Sequence, residues 1–171
     1  TTHVSERPVS EFYPPGKGSY LGTMDFEGNQ IVFISNISDL VDNDYNDDSS
    51  VFLYDMTTSK IKLISINPNN ESFSTYSSPQ ITDDGKFVLM HQSGSLIYDV
   101  DAEKIIRGST FGGVGNISDN AEFITFVDDQ IYVTTINLVS DSSTTADKHS
   151  EQNEISSDNI SLTIDKIIYH P

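Results

Sequence analysis

Three segments of this chain align without gaps: Met24-Asp-Phe-Glu-Gly-Asn-Gln-Ile-Val-Phe33, Ile81-Thr-Asp-Asp-Gly-Lys-Phe-Val-Leu-Met90 and Ile117-Ser-Asp-Asn-Ala-Glu-Phe-Ile-Thr-Phe126. Each runs from an apolar residue through an acidic turn into an apolar strand, and such self-similarity means that one supersecondary unit is used several times. Gly28 and Gly85 end the turn in the first two copies, where a tight hairpin calls for positive φ, and Ala121 stands there in the third. A strand containing Tyr follows each copy, at Val51 to Asp55, Ser95 to Asp99 and Gln130 to Val133. A further strand follows each of these, at Lys60 to Ile66, Lys104 to Thr110 and Thr134 to Val139. With the strand before each acidic turn, every unit holds four strands.

Helices find little support. No stretch longer than about ten residues keeps an i, i+3, i+4, i+7 apolar pattern free of turn residues and β-branched runs. The polar excess is Ser, Asn, Asp and Thr, which favour turns and caps over helix interiors. Apolar residues make up only 36% of the chain, yet 8 Tyr and 9 Phe supply a large buried area per residue.

A four-stranded antiparallel unit repeated in tandem is the sequence signature of a propeller blade. Ile81-Thr-Asp-Asp-Gly-Lys-Phe-Val followed by Leu96-Ile-Tyr-Asp-Val-Asp resembles the TolB-like (PD40, WD40-like) β-propeller repeat, over roughly residues 20–139. The first copy is similar to a bacterial subgroup of that repeat with a long loop in each blade. Asp44, Asn46 and Asp55 match its pattern, and Ser50 stands where the subgroup has Asp. The expected fold is therefore all-β, with three four-stranded antiparallel propeller-type blades at 20–66, 77–110 and 111–139. A β-sandwich with similar strands is the competing arrangement. Known propellers close with about four to eight blades, so three imply a partial propeller or one completed by an oligomer. Residues 1–19, with Pro8, Pro14 and Pro15, read as an irregular entry segment, and 140–158 as a polar acidic linker or loop. Residues 159–171 alternate as a terminal strand that could cover an edge.

The formal charge of −17, from 26 Asp+Glu against 9 Lys+Arg, opposes nucleic acid and anionic membrane surfaces and favours cations and basic partners. No apolar run exceeds the four residues of Ile31 to Ile34, against the roughly 20 needed for a membrane-spanning helix. Without cysteine, disulfides, zinc–thiolate sites and thiol catalysis are excluded. The chain starts at Thr1 with no leader pattern, as a processed chain or a piece of a longer one would. An extracellular or periplasmic setting is the expectation.

The strongest local chemistry is an insertion in the first unit, where Asp39, Asp42, Asp44, Asp47 and Asp48 fall within ten residues. Like charges at this density repel, and Asp42-x-Asp44-x-Asn46 has the alternating oxygen spacing that wraps Ca²⁺. The expected ligands are Asp42, Asp44, Asn46 and Asp48. The affinity should be weak, on the order of 10⁻⁴ to 10⁻³ M, because the sharp-turn Gly and the closing Glu of an EF-hand are both missing. A solvated acidic hairpin tip explains the same residues, and both readings stay open at this point.

No catalytic set stands out. The chain has no Gly-x-Ser-x-Gly elbow. Gly112-Gly-Val-Gly115 lacks the Lys-Ser/Thr of a phosphate loop and reads as a tight inner strand. His91 reads as a structural residue at a strand end. Two functions follow. One is a non-catalytic extracellular or periplasmic interaction module that presents loops to a protein or glycan partner, with self-association through uncovered edges. The other is a propeller fragment of a larger hydrolase or polysaccharide lyase, as in the prolyl-oligopeptidase and oligogalacturonate-lyase relatives that the repeat resembles.

Overall fold

The computed structural model describes residues 17–38, 40–42, 44, 48–67, 71–75, 77–92, 94–107, 115–120, 122–127, 131–138 and 160–168, and these form strands and turns with no helix among them. The first sheet pairs β1 (Ser19–Met24), β2 (Gln30–Ser35), β3 (Ser50–Asp55) and β4 (Lys60–Leu63) in chain order. The second does the same with β5 (Gln80–Ile81), β6 (Phe87–His91), β7 (Ser95–Asp99) and β8 (Lys104–Arg107). The third pairs β9 (Gly115–Ile117), β10 (Phe123–Val127), β11 (Ile131–Leu138) and β12 (Ile160–Ile168). Every pairing is antiparallel.

The expected all-β fold of three four-stranded units is thus present, and its turns form where the glycines required. Gly28 and Gly85 have φ of 71° and 72°, a left-handed conformation open to glycine without a Cβ clash. The third unit differs from its expected strand pattern. Gln130 to Val133 and Thr134 to Val139 were expected as two strands, but Ile131–Leu138 runs as one, and the outer strand comes from Ile160–Ile168. Between Val133 and Thr134 there is no Gly, Pro, Asn or Asp to break the alternation, so the strand continues. The connection at 140–158 lies outside the described residues. So do Gly112, Ala121 and the entry segment up to residue 16. In the first unit the last strand is shorter than expected and ends at Leu63, and in the second it runs from Lys104 to Arg107, with the expected continuation to Thr110 outside the described residues.

Period-2 alternation divides each sheet into two faces, and both are apolar in the middle strands. Val32, Ile34, Val51 and Leu53 of the first sheet, with Ile64 just past β4, pack on Val88, Met90, Leu96 and Tyr98 of the second. The opposite face of the second sheet, with Phe87, Leu89, Ile97 and Ile106, packs on Ile124 of the third. These clusters make the three sheets a face-to-face stack. Between sheets, the backbones approach most closely at the first strands β1, β5 and β9, so the sheets converge there and fan outward toward β4, β8 and β12.

Candidate functional site

With this strand order, the first and third turns of a unit lie at one end and the second turn at the other. At the first end, the acidic turns of the three units are joined by a row of main-chain hydrogen bonds. Phe26 N–H donates to Asp83 O at 3.1 Å, and Asp83 N–H donates to Asp119 O at 3.1 Å. Phe26, Asp83 and Asp119 occupy the same position in the aligned repeats.

In the first two units the turn is also closed by a side-chain oxygen one position earlier. Gln30 N–H donates to Asp25 Oδ1 at 3.0 Å, and Phe87 N–H donates to Thr82 Oγ1 at 3.2 Å. In the second unit the Thr82 hydroxyl donates to Asp84 Oδ1 at 2.7 Å, and Lys86 N–H donates to the same oxygen. Ser118, Asn120 and Glu122 repeat this arrangement in the third. Burial works against ionisation of Asp84. The Thr82 hydroxyl and the Lys86 N–H and ammonium outweigh it and hold that carboxyl below its ordinary value.

The third turns of the first two units lie at the same end and share one device. Asp55 Oδ1 accepts from Thr57 N–H at 2.7 Å, the Thr57 hydroxyl at 2.6 Å and Thr58 N–H at 3.1 Å. The Thr57 hydroxyl leads in lowering its carboxyl to about 2. Asp99 Oδ1 accepts from Ala102 N–H in the second unit. Ser59 and Glu103, four residues after these aspartates, both adopt positive φ, 56° and 53°. Glu103 reaches back to the first sheet, where Lys62 Nζ lies 2.7 Å from its Oε2 and 5.8 Å from the Tyr98 ring centroid.

This end carries exposed carboxylates at Glu27, Asp83, Asp84, Asp101 and Asp119. Among them are three exposed apolar side chains of the first unit, Phe26 at 78%, Met24 at 62% and Met56 at 40%. Met56 is tied beside the acidic turn because its N–H donates to Asn29 O at 2.8 Å. Where the second and third units have Asp83 and Asp119, the first has Phe26. That apolar exception in an acidic repeat was legible by alignment, although the sequence reading passed over it.

At the opposite end, His91 and Ser95 close the β6–β7 turn and are both buried. Gly115 N–H donates to His91 Nε2 at 3.4 Å, and His91 Nδ1 shares a hydrogen bond of 3.2 Å with Ser95 Oγ. Burial holds the imidazole below its ordinary value. A serine this deeply enclosed is not presented to a substrate, and the contact ties β9 of the third unit to the second.

The acidic insertion leaves β2 at this same end. Of the four expected ligands, Asp42 and Asp48 are exposed and Asp44 is buried, while Asn46 lies outside the described residues. Asp44 N–H donates to Val41 O at 3.1 Å and turns the chain there. Among the described residues, no group of three or more His, Asp or Glu side chains is placed to hold a metal ion.

The architecture has counterparts of known shape. An oligogalacturonate lyase determined in complex with manganese superposes with a TM-score of 0.51 at 11% identity, over 73% of this chain and 37% of that one. The fold is a partial β-propeller. Each four-stranded sheet is a blade. A second oligogalacturonate lyase, from Vibrio parahaemolyticus, gives a TM-score of 0.44 at 9% identity over 74% of this chain and 31% of that one. The chain therefore spans well under half the length of either lyase. No family model matches the sequence. No curated protein matches it either.

Proposed function

We propose that this chain is a non-catalytic interaction module of extracellular or periplasmic proteins, presenting the turn end of its propeller blades to a protein or glycan partner. The observation that carries the reading is the exposure of Met24, Phe26 and Met56 at one end of the first blade, among carboxylates on turns fastened to one another by main-chain hydrogen bonds. A rigid scaffold lowers the ordering cost of binding, and an apolar anchor within a polar rim is the usual anatomy of a recognition patch. The test compares the parent with the double variant Phe26→Ser and Met56→Ser for binding to neutral glycans and to basic and acidic test proteins, by interferometry. At least one of these probes binds the parent, and the variant loses that binding tenfold or more, about 1.4 kcal/mol. Binding that the variant retains in full would overturn the reading.

A second reading, a piece of a larger lyase-type propeller, is favoured by the superposition on oligogalacturonate lyase. It predicts that a longer protein containing these blades, rather than the chain by itself, releases unsaturated sugar from oligogalacturonate, followed by ultraviolet absorbance. Calcium at Asp42, Asp44, Asn46 and Asp48 belongs to the first reading, as an ion that orders the insertion by relieving carboxylate repulsion. At ten times its Kd it adds about 1.4 kcal/mol of stability. The melting temperature therefore rises more with Ca²⁺ than with Mg²⁺ in the parent. The gain disappears in the double variant Asp44→Ala and Asn46→Ala. An equal gain in that variant would show general charge screening instead.

A further inference from the structure

The strand registers define which residues of each blade face the blade before it. Val32 pairs with Leu53 in the first blade as Leu89 pairs with Ile97 in the second, so Ile31, Phe33, Phe52 and Tyr54 correspond to Val88, Met90, Leu96 and Tyr98. In the second blade this set is covered by the preceding blade, through Val32, Ile34, Val51, Leu53 and Ile64. In the first blade, Phe33, Phe52 and Tyr54 are buried with Leu63 under Ile37 and Leu40, and Val41 and Ile31 pack against the same cluster. Ile37 and Leu40 are each 4% exposed. Both belong to the acidic insertion. The Phe33 and Phe52 rings beneath them are stacked, with centroids 5.6 Å apart.

We propose that the insertion between β2 and β3 is an edge cap, in which the arm from Ile37 to Val41 takes the place of a neighbouring blade and keeps a second copy of this chain off the first blade's face. The arm is fixed as it leaves the strand, since Ile37 N–H donates to Ser35 Oγ at 3.1 Å. It turns at its far end, where Asp44 N–H meets Val41 O. Its underside is apolar. The crest that follows exposes Asp42 and Asp48 to solvent. The second blade needs no such arm, because the first blade already covers the corresponding face. Its β6–β7 connection is accordingly only Gln92 to Gly94. An uncapped face of this kind is a contiguous apolar patch beside an open sheet, the sort of surface on which copies associate. The occupant it fits best is another blade of the same repeat, which a second copy carries.

The test is the difference in mass between variant and parent, each a full 171-residue chain, by light scattering over a range of concentrations. Ile37→Asn together with Leu40→Asn lifts the arm, and its mass is expected to rise at least twofold over the parent's while circular dichroism still reports β structure. With calcium removed by a chelator from all samples, Asp42→Asn together with Asp48→Asn leaves the arm in place and is expected to match the parent's mass. An arm variant that keeps its β signal and the parent's mass would overturn the proposal. So would association of the crest variant, since charge alone would then be keeping copies apart. If the arm variant loses its β signal, Leu40→Ala takes its place. A mass that climbs with concentration above the parent's supports the cap, and an unchanged mass with a lowered melting point overturns it.

Discussion

Substituting Ala for Gly85 tests whether the acidic turns of neighbouring blades press on one another, and Gly28→Ala supplies the control. The two glycines have almost the same φ, 72° and 71°, so a new Cβ meets the same backbone strain at either site. That strain is about 1–2 kcal/mol, reduced by about 0.4–1 kcal/mol because Ala also restricts the unfolded chain. The surroundings differ. A Cβ at Gly28 has no heavy atom within 4 Å, whereas at Gly85 it comes within 3.2 Å of Asp25 Oδ2 and 3.3 Å of the Gln30 amide, both on the first blade. Asp25 is itself buried and held by Gln30 N–H, so it has little room to retreat. Crowding in a well-packed place adds about 1–3 kcal/mol. At about 2–4 °C per kcal/mol for a chain of this size, Gly85→Ala should melt roughly 2–12 °C below Gly28→Ala. Thermal melts followed by circular dichroism read the difference, and urea midpoints check it. Asp25→Ser, which puts there the residue that the third unit carries at Ser118, makes space while keeping an acceptor. In the background of Gly85→Ala it should recover part of the loss. Equal melting points for the two Ala variants would refute the contact between blades.

Ser59 holds positive φ without being glycine, and Ser59→Gly should raise the melting temperature by about 1–4 °C in the same assay. His91 is held below its unfolded value of 6.5, so its contribution is present above that pH and is lost as pH falls through the lower folded value. Melting temperature should therefore decline between pH 7 and 5, and His91→Gln, which still offers Gly115 an acceptor, should flatten that decline. Asp55 is lowered from 3.8 to about 2, so its contribution is present above pH 3.8 and disappears as pH falls through about 2. Asp55→Asn should accordingly melt below the parent at pH 7 and approach it near pH 2, by a margin that solvent screening keeps small.

Blades one and two were legible because their turns carry chemistry that a sequence displays. Gly28 and Gly85 mark positive φ, and Tyr54-Asp55 and Tyr98-Asp99 end strands in aspartates that close the next turn. The third blade was only half legible. Its outer strand, Ile160–Ile168, is brought to β11 from beyond a long connection, and strand alternation says nothing about which distant partner a strand will choose. In the insertion, the run of Asp announced itself by charge. The companions Ile37, Leu40 and Val41 carry no such signal, because their meaning depends on a sheet face that exists only after folding. Phe26 was missed for the opposite reason, since it stands in a turn where an exposed aromatic has no local cause.

The bonds that run from Phe26 to Asp83 to Asp119 use only amide hydrogens and carbonyl oxygens. An attachment made from groups that every residue except proline possesses leaves the identity of those residues open to drift, and this chain already shows it by placing Phe at one link and Asp at two. A blade can therefore exchange nearly all of its turn side chains and still be held to its neighbour at the same point. Recognition surfaces can change on such a frame without the frame itself being rebuilt. Proline is the one substitution the linkage forbids outright, at positions 26 and 83, where the donor hydrogen would vanish.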